Sequence, residues 1–139
     1  MNIFGGILIL VFVGIIFMQL RMYFGSQKMK GNAIPDDLHE YGDVKNLGET
    51  LNTCDSQGSL LYFFSPSCGP CRAMTPVIDK LNNDGKRAIK IDINDSPQLA
   101  HRFGIRATPT ILVIKNRIIE KVLLGAQSES HLSKLLDSE

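Results

Sequence analysis

Residues 60–71 read LLYFFSPSCGPC, an apolar run followed by a pair of cysteines. The run from Leu60 to Phe64 has no polar interruption, which is typical of a strand buried on both faces. Apolar residues then recur at helical spacing from Cys71 to Asn82. The cysteine pair is therefore predicted to lie where a buried strand passes into a helix.

The position of the two cysteines predicts their chemistry. Cys68 falls at the predicted N-terminus of the helix, and Cys71 lies one turn further along. Unpaired backbone N–H groups and the helix dipole favour the thiolate form at such a position. Gly69 and Pro70 permit a tight turn and preset the backbone of the first helical residue. Because a thiolate is the attacking species in thiol–disulfide exchange, the pattern predicts a redox-active dithiol.

Two other uses of the cysteine pair compete with this one. A zinc site needs further ligands at a compatible spacing, and the sequence offers only Cys54 and three scattered histidines, His39, His101 and His131. A structural disulfide across so short a loop would remove little chain entropy. We therefore predict no metal site and favour the redox pair.

The other elements alternate between helices and strands. The pattern predicts a short, weak helix over Leu47–Cys54, a strand over Ala88–Ile93, a helix over Ser96–Phe103, strands over Thr110–Ile114 and Ile118–Leu124, and a helix over Ser128–Leu136. Ser96 and Ser128 are the predicted N-caps. This order indicates an α/β fold, with a central mixed sheet that ends in an antiparallel hairpin and carries helices on both faces.

The first 30 residues differ in character from the rest. Ile3 to Leu20 is a run of 18 residues without a charge, and as a helix it would span roughly 27 Å, close to the thickness of the bilayer hydrocarbon. The run has no basic residue before it and no small-residue cleavage site after it, which favours an uncleaved anchor over a signal peptide. We predict one N-terminal transmembrane helix in residues 1–24, a linker in 25–35 and a globular domain in 36–139.

The charge distribution bears on topology and on partners. The net charge of +1, with 21% charged residues, excludes a strongly basic nucleic-acid binder. Residues 1–30 contain Arg21, Lys28 and Lys30 but no acidic residue, whereas the other 109 residues hold 12 basic and 14 acidic ones. The positive-inside rule then places the globular domain in the cytoplasm; an extracytoplasmic or periplasmic location is the alternative. The lipid bilayer is an expected partner through residues 3–20.

From about residue 45 to its end, the sequence resembles the thioredoxin family. Apart from the Cys-Gly-Pro-Cys motif, Pro76 matches the proline that kinks the family's active-site helix, and Gly125 matches the glycine after the last strand. The segment KIDIN at 90–94 is similar to the family's central strand, and FGIRATPT at 103–110 is similar to the segment that carries its cis-proline. The resemblance implies a thioredoxin-like fold.

The resemblance also implies roles for individual residues. Cys68 would be the nucleophile and Cys71 the resolving thiol, supported by Gly69, Pro70, Lys90 and a cis Pro109, with Thr108 and Ser67 at the substrate-binding surface. The implied activity is that of a membrane-anchored thiol–disulfide oxidoreductase that reduces protein disulfides, needs no cofactor and receives electrons from a separate reductase. An extracytoplasmic disulfide oxidase or isomerase and a non-enzymatic membrane adaptor are the alternatives.

Two positions depart from the family pattern. Ser67 stands where the family usually has Trp, and Tyr62 stands where it has a buried carboxylate. A phenol with a pKa near 10 is a poor base at pH 7, so we expect proton transfer from Cys71 to depend more on water or on Lys90. Away from the motif, Cys54 is expected to be a small buried hydrophobe and His101 to be solvated.

Overall fold

The computed structural model describes residues 3–27, 29–34, 47 and 58–137. In chain order its elements are α1 (Ile3–Gln27), β1 (Ser59–Phe64), α2 (Gly69–Asn83), β2 (Arg87–Asp92), α3 (Pro97–Arg102), β3 (Thr110–Lys115), β4 (Ile118–Leu124) and α4 (Glu129–Asp137). From β1 onward, the predicted bounds differ from these by one or two residues at most. The predicted helix Leu47–Cys54 lies outside the described residues except for Leu47, which is buried.

The four strands form one mixed sheet in the order β2-β1-β3-β4. Strand β1 pairs in parallel with β2, and the other two pairings are antiparallel, as predicted for a mixed sheet that ends in a hairpin. Phe64 lies opposite Asp92, and Phe63 lies opposite Thr110. The C-terminal ends of β1 and β2 and the N-terminal end of β3 therefore lie at the same end of the sheet. The Cys68 loop follows β1 at that end.

Alternate residues of β1 point to opposite faces of the sheet, and each face is covered by helices. On one face, Leu61 and Phe63 pack in a cluster with Phe103, which follows α3. On the other face, Leu60 and Tyr62 pack in a cluster with apolar residues of α2 and α4. Leu60 to Phe63 are fully buried on both faces of β1, which explains the apolar run there and agrees with the prediction of helices on both sides.

The hairpin between β3 and β4 turns through two residues. Asn116 and Arg117 have φ values of 49° and 62°, the left-handed conformations that a two-residue type I′ turn requires. Asparagine adopts this region more readily than most side chains, and the turn is made without glycine.

Residues 29–34, part of the predicted linker, lie against the outer edge of β4. Ala33 forms an antiparallel bridge with Ile118, and the Gly31 N–H donates a 2.8 Å hydrogen bond to the Ile119 carbonyl. The side chain of Ile34 is buried in the core. This segment therefore shields a sheet edge that would otherwise expose unpaired backbone groups.

One of the two predicted N-caps makes its hydrogen bond. The Ser128 hydroxyl accepts from the His131 N–H at 3.3 Å, which confirms that prediction. Ser96 is the N-cap residue of α3, as predicted, but its side chain makes no capping hydrogen bond. The backbone of Ser96, at φ −124° and ψ 58°, is outside the extended conformation that usually directs an N-cap oxygen at the first helical N–H groups.

The N-terminal helix α1 extends over 25 residues. Large apolar side chains along it, such as Leu10, Phe12 and Phe17, are exposed. In the part of the chain that the structure describes, no helix combines the length and the apolarity needed to cross a membrane. The predicted transmembrane span is therefore unconfirmed.

Candidate active site

The cysteine pair lies at the N-terminus of α2, where the sequence predicts it. Cys68 is the N-cap residue of α2, and its sulfur is bonded to that of Cys71, with 5.2 Å between the two Cα atoms. Gly69 and Pro70 are the first two residues of the helix and are exposed. Gly69 does not have a positive φ, and an added Cβ would meet open space. The backbone at this position therefore does not depend on glycine.

The two sulfurs have different environments. Cys68 is half-buried, whereas Cys71 is 1% exposed and faces the sheet. The Cys71 N–H donates to the Cys68 sulfur across 3.2 Å, so one of the unpaired donors at the helix N-terminus is directed at the more accessible sulfur. In the reduced protein, a donor at this position favours the thiolate of Cys68 over its thiol.

Tyr62 lies beneath the pair, on the face of β1 that packs against α2. Its hydroxyl donates a 3.0 Å hydrogen bond to the main-chain carbonyl of Cys71, and its ring stacks on Phe64 with 5.4 Å between centroids. The Thr75 hydroxyl donates to the same carbonyl, also at 3.0 Å. Burial raises the pKa of Tyr62 above its ordinary value near 10, against the opposing effect of a hydrogen bond with Thr75. The phenol is therefore neutral at physiological pH.

Lys90, predicted to support the active site, has a partner that the sequence analysis did not identify. It lies opposite Tyr62 in the sheet register, but its Nζ is 2.6 Å from an Asp79 carboxylate oxygen. Asp79 is eight residues beyond Cys71 in α2, a distance of roughly 12 Å along a helix. The ammonium group is thus held well along α2 and away from the N-terminus where the sulfurs lie.

A hydrogen-bonded chain of polar side chains supports the loop before Cys68. The hydroxyl oxygens of Ser65 and Ser67 are 2.9 Å apart, and the Asn94 amide donates to the Ser65 hydroxyl at 3.1 Å. Ser65 is buried, whereas Ser67, predicted to contact substrate, is exposed. Ser65 and Asn94 were not among the site residues predicted from the sequence. The adjacent carboxyl ends of parallel β1 and β2 are the signal that would have placed them together.

The Thr108–Pro109 segment lies at the same end of the sheet as the cysteine pair, because Thr110 at the start of β3 is opposite Phe63. The peptide bond between Thr108 and Pro109 is cis, the isomer that the sequence analysis predicts. Pro109 is buried and Thr108 is half-buried. The carbonyl of Pro109 accepts from the Gly125 N–H at 2.9 Å, which ties this loop to the end of β4.

Other candidate ligands do not gather at this site. No cluster of three or more His, Cys, Asp or Glu side chains is found within the described ranges. His101 lies in α3 and is exposed, in agreement with its predicted solvation. Cys54 and His39, the other zinc-ligand candidates apart from His131, lie outside the described residues.

Comparison with known proteins decides the family. Residues 43–138 match the family model described as Thioredoxin. The chain belongs to the thioredoxin family. Proteins of this family are protein-disulfide oxidoreductases, and the matched range contains every residue that the sequence analysis assigned to the site.

Curated thioredoxins and solved thioredoxin structures are similar to this thioredoxin domain. An M-type chloroplastic thioredoxin from Zea mays is 39% identical over 98 residues, or 68% of this chain and 58% of that protein. Thioredoxin 2 from Chlorobaculum tepidum is 37% identical over 101 residues, or 70% of this chain and 91% of that protein. The structure of a mutant thioredoxin from Halobacterium salinarum NRC-1 is 30% identical, with a TM-score of 0.56, covering 62% of this chain and 77% of that one. The chain spans about half the length of several of the chloroplast relatives.

Proposed function

We propose that this chain is a protein-disulfide reductase that acts through Cys68 and Cys71. The observation that carries the proposal is the asymmetry of the pair: Cys68 caps α2, is half-buried and accepts the Cys71 N–H, whereas Cys71 is buried. An accessible sulfur at a helix N-terminus suits the attacking thiolate. A buried sulfur three residues away is protected from external disulfides and remains available for the second step.

The proposed reaction starts from the reduced dithiol and consists of two exchanges. The Cys68 thiolate attacks one sulfur of a substrate disulfide, forms a mixed disulfide and releases the other substrate sulfur as a thiolate, which takes up a proton. The Cys71 thiol loses its proton, and its thiolate attacks the Cys68 sulfur. This forms the Cys68–Cys71 disulfide and releases the second substrate thiol. Two electrons pass to the substrate, and a separate reductase returns the pair to the dithiol state.

The reduction potential tests the direction of this reaction. The Cys-Gly-Pro-Cys motif is that of thioredoxin, whose potential is about −270 mV, whereas oxidases and isomerases lie near −120 to −180 mV. Equilibration of the pair with glutathione buffers of known ratio, followed by mass spectrometry of the trapped thiols, gives the potential. A value near −270 mV supports the reductase, and a value above about −180 mV contradicts it in favour of an oxidase or isomerase.

We also propose that α1 attaches the thioredoxin domain to a membrane, with the domain on the cytoplasmic side. The charge-free run from Ile3 to Leu20 and the exposed apolar side chains of α1 support attachment. Arg21, Lys28 and Lys30 after the run support the orientation.

Membrane fractionation with a carbonate wash tests the attachment. The full chain is expected to stay in the membrane pellet, and a matched chain without residues 1–27 is expected to move to the supernatant. A full chain that is released by the wash contradicts the proposal. A reporter that is active on one side of the membrane only, fused after Glu139, tests the orientation.

A further inference from the structure

We propose that Tyr62 is a positioning residue of the disulfide exchange: its hydroxyl holds the Cys71 main chain so that the Cys71 sulfur and N–H stay directed at Cys68. The proposal rests on the proposed reductase function, since it assigns a task within that reaction. It concerns the position at which this chain has a phenol in place of the family's carboxylate.

The Tyr62 hydroxyl has a defined hydrogen-bond partner. Tyr62 is fully buried, so its O–H has no access to bulk water and must be paired within the protein. That pairing is the 3.0 Å bond to the Cys71 carbonyl. A buried donor or acceptor that loses its partner carries a desolvation cost, and the bond therefore restrains both residues.

The bond from Tyr62 to Cys71 connects two separate elements, β1 and α2. Thr75 also donates to the Cys71 carbonyl, but Thr75 and Cys71 belong to the same helix, so their bond does not fix α2 relative to the sheet. Tyr62 belongs to β1, and its ring is held there by stacking on Phe64. Of these two bonds, only that of Tyr62 anchors the first turn of α2 to the sheet.

The first turn of α2 needs such an anchor because its own hydrogen bonding is interrupted. Pro76 lies inside the helix; it has no N–H to donate to the Arg72 carbonyl, and its ring crowds that carbonyl. The helical ladder is therefore interrupted one residue after Cys71. On the other side of Cys71, its N–H donates to the Cys68 sulfur. Cys71 thus links the Tyr62 hydroxyl to the attacking sulfur.

The same geometry excludes the phenol from accepting the proton of Cys71 at neutral pH. Its own proton is directed at the Cys71 carbonyl, and burial raises its pKa further. Of the charged groups on the elements packed against it, Lys90 on β2 lies opposite Tyr62 and is paired with Asp79 on α2. Loss of the hydroxyl should therefore slow resolution by the same factor at every pH.

The test uses the full chain with Cys54 replaced by Ser in every variant, so that only the pair reacts. Addition of 5,5′-dithiobis(2-nitrobenzoate) to the reduced chain releases one thionitrobenzoate as Cys68 forms the mixed disulfide. A second thionitrobenzoate is released as Cys71 resolves it, and both are followed by absorbance from pH 6 to 9. Alkylation of Cys68 by iodoacetamide over the same range gives the pH midpoint of its thiol.

Tyr62→Phe is expected to slow the second release roughly 2- to 10-fold, the range that corresponds to one hydrogen bond. The pH midpoint of the second-release rate is expected to stay unchanged. The substitution is also expected to raise the pH midpoint of Cys68 alkylation, because the Cys71 N–H is held less firmly against the sulfur. Ile114→Val, a matched core substitution in the cluster on the opposite face of the sheet, is expected to leave both readings unchanged. Thr75→Val should slow the second release by a smaller factor, and it provides a reading should Tyr62→Phe not fold.

Each result bears on a distinct claim. A normal first release with an unchanged second release in Tyr62→Phe overturns the positioning role and leaves the reductase proposal intact. A slowing whose size changes with pH also overturns it, since positioning by the hydroxyl predicts the same factor at every pH. If Ile114→Val slows the second release as much as Tyr62→Phe does, the effect is general destabilisation of the core and the positioning role is overturned. If the chain that retains Tyr62 shows no first release, the result contradicts the reductase proposal instead.

Discussion

The rim and the floor of the cysteine site have opposite surroundings, although their cysteines, Cys68 and Cys71, are only three residues apart in sequence. We define the rim as residues 66–70, which contain Cys68, and the floor as Tyr62, Cys71 and Met74. Apart from half-buried Cys68, the rim is exposed, whereas each floor residue is at most 1% exposed. The difference arises because α2 begins after Cys68, and because Cys71 and Met74 fall on the helix face that packs against the sheet. Two identical thiols acquire different surroundings from where the helix begins.

Replacing the cysteines one at a time gives the largest expected contrast between rim and floor. Cys68→Ser should lower protein-disulfide reduction on the order of 10³-fold or more, since it removes the attacking group. Cys71→Ser should instead accumulate a mixed disulfide between Cys68 and the substrate, because the resolving thiol is absent. Turnover assays and non-reducing gels distinguish the two. Mixed disulfides that form on Cys71 in the Cys68→Ser chain would reverse the assignment.

Truncation of side chains compares the two regions in stability. Met74→Ala on the floor should lower the free energy of unfolding by about 2–5 kcal/mol, the usual cost of a buried large-to-small change. Ser67→Ala on the rim should lower it by only about 1 kcal/mol, the usual net value of the single hydrogen bond that its hydroxyl makes with Ser65. Urea unfolding of the oxidised chains measures both. Similar losses at the two positions would show that the rim contributes to the core.

Alkylation of the reduced chain compares the reactivities of the two thiols. Near pH 7, Cys68 should react with iodoacetamide at least about tenfold faster than Cys71, since it is accessible and has the more favoured thiolate. Mass spectrometry of peptides from timed samples gives both rates. Equal rates would contradict the asymmetry on which the proposed mechanism depends.

The pH dependence of stability gives the smallest expected effect and concerns the floor alone. Burial raises the pKa of folded Tyr62 above its unfolded value near 10, so the native state binds this proton more tightly than the unfolded state. The resulting stabilisation is complete below about pH 10 and is lost as the pH rises through the folded pKa, by about 1.4 kcal/mol for each unit of pKa difference. In urea unfolding from pH 9 to 11, the free energy of unfolding should fall more steeply with pH in the chain that retains Tyr62 than in Tyr62→Phe. Parallel curves would contradict the raised pKa.

Features that depend on neighbouring residues were predictable from the sequence. The unbroken apolar run of β1 and the helical spacing after Cys71 placed the cysteine pair at a strand-to-helix junction, and the structure has it there. The cap at Ser128 was predicted for the same reason, since its partner lies three residues away. Ser96 shows the limit of such reasoning: its position is as predicted, but its backbone conformation prevents the bond.

Contacts between distant parts of the chain were decided by the tertiary structure alone. The Tyr62 hydroxyl meets the Cys71 carbonyl, Lys90 meets Asp79, and residues 29–34 cover the edge of β4. Each contact depends on the register between strands and on how α2 packs on the sheet. A difference of one residue in register would direct every side chain of a strand to the other face. Local pattern is therefore sufficient for the order of elements and the position of the dithiol, whereas the support beneath that dithiol exists only once the sheet and helix are packed together.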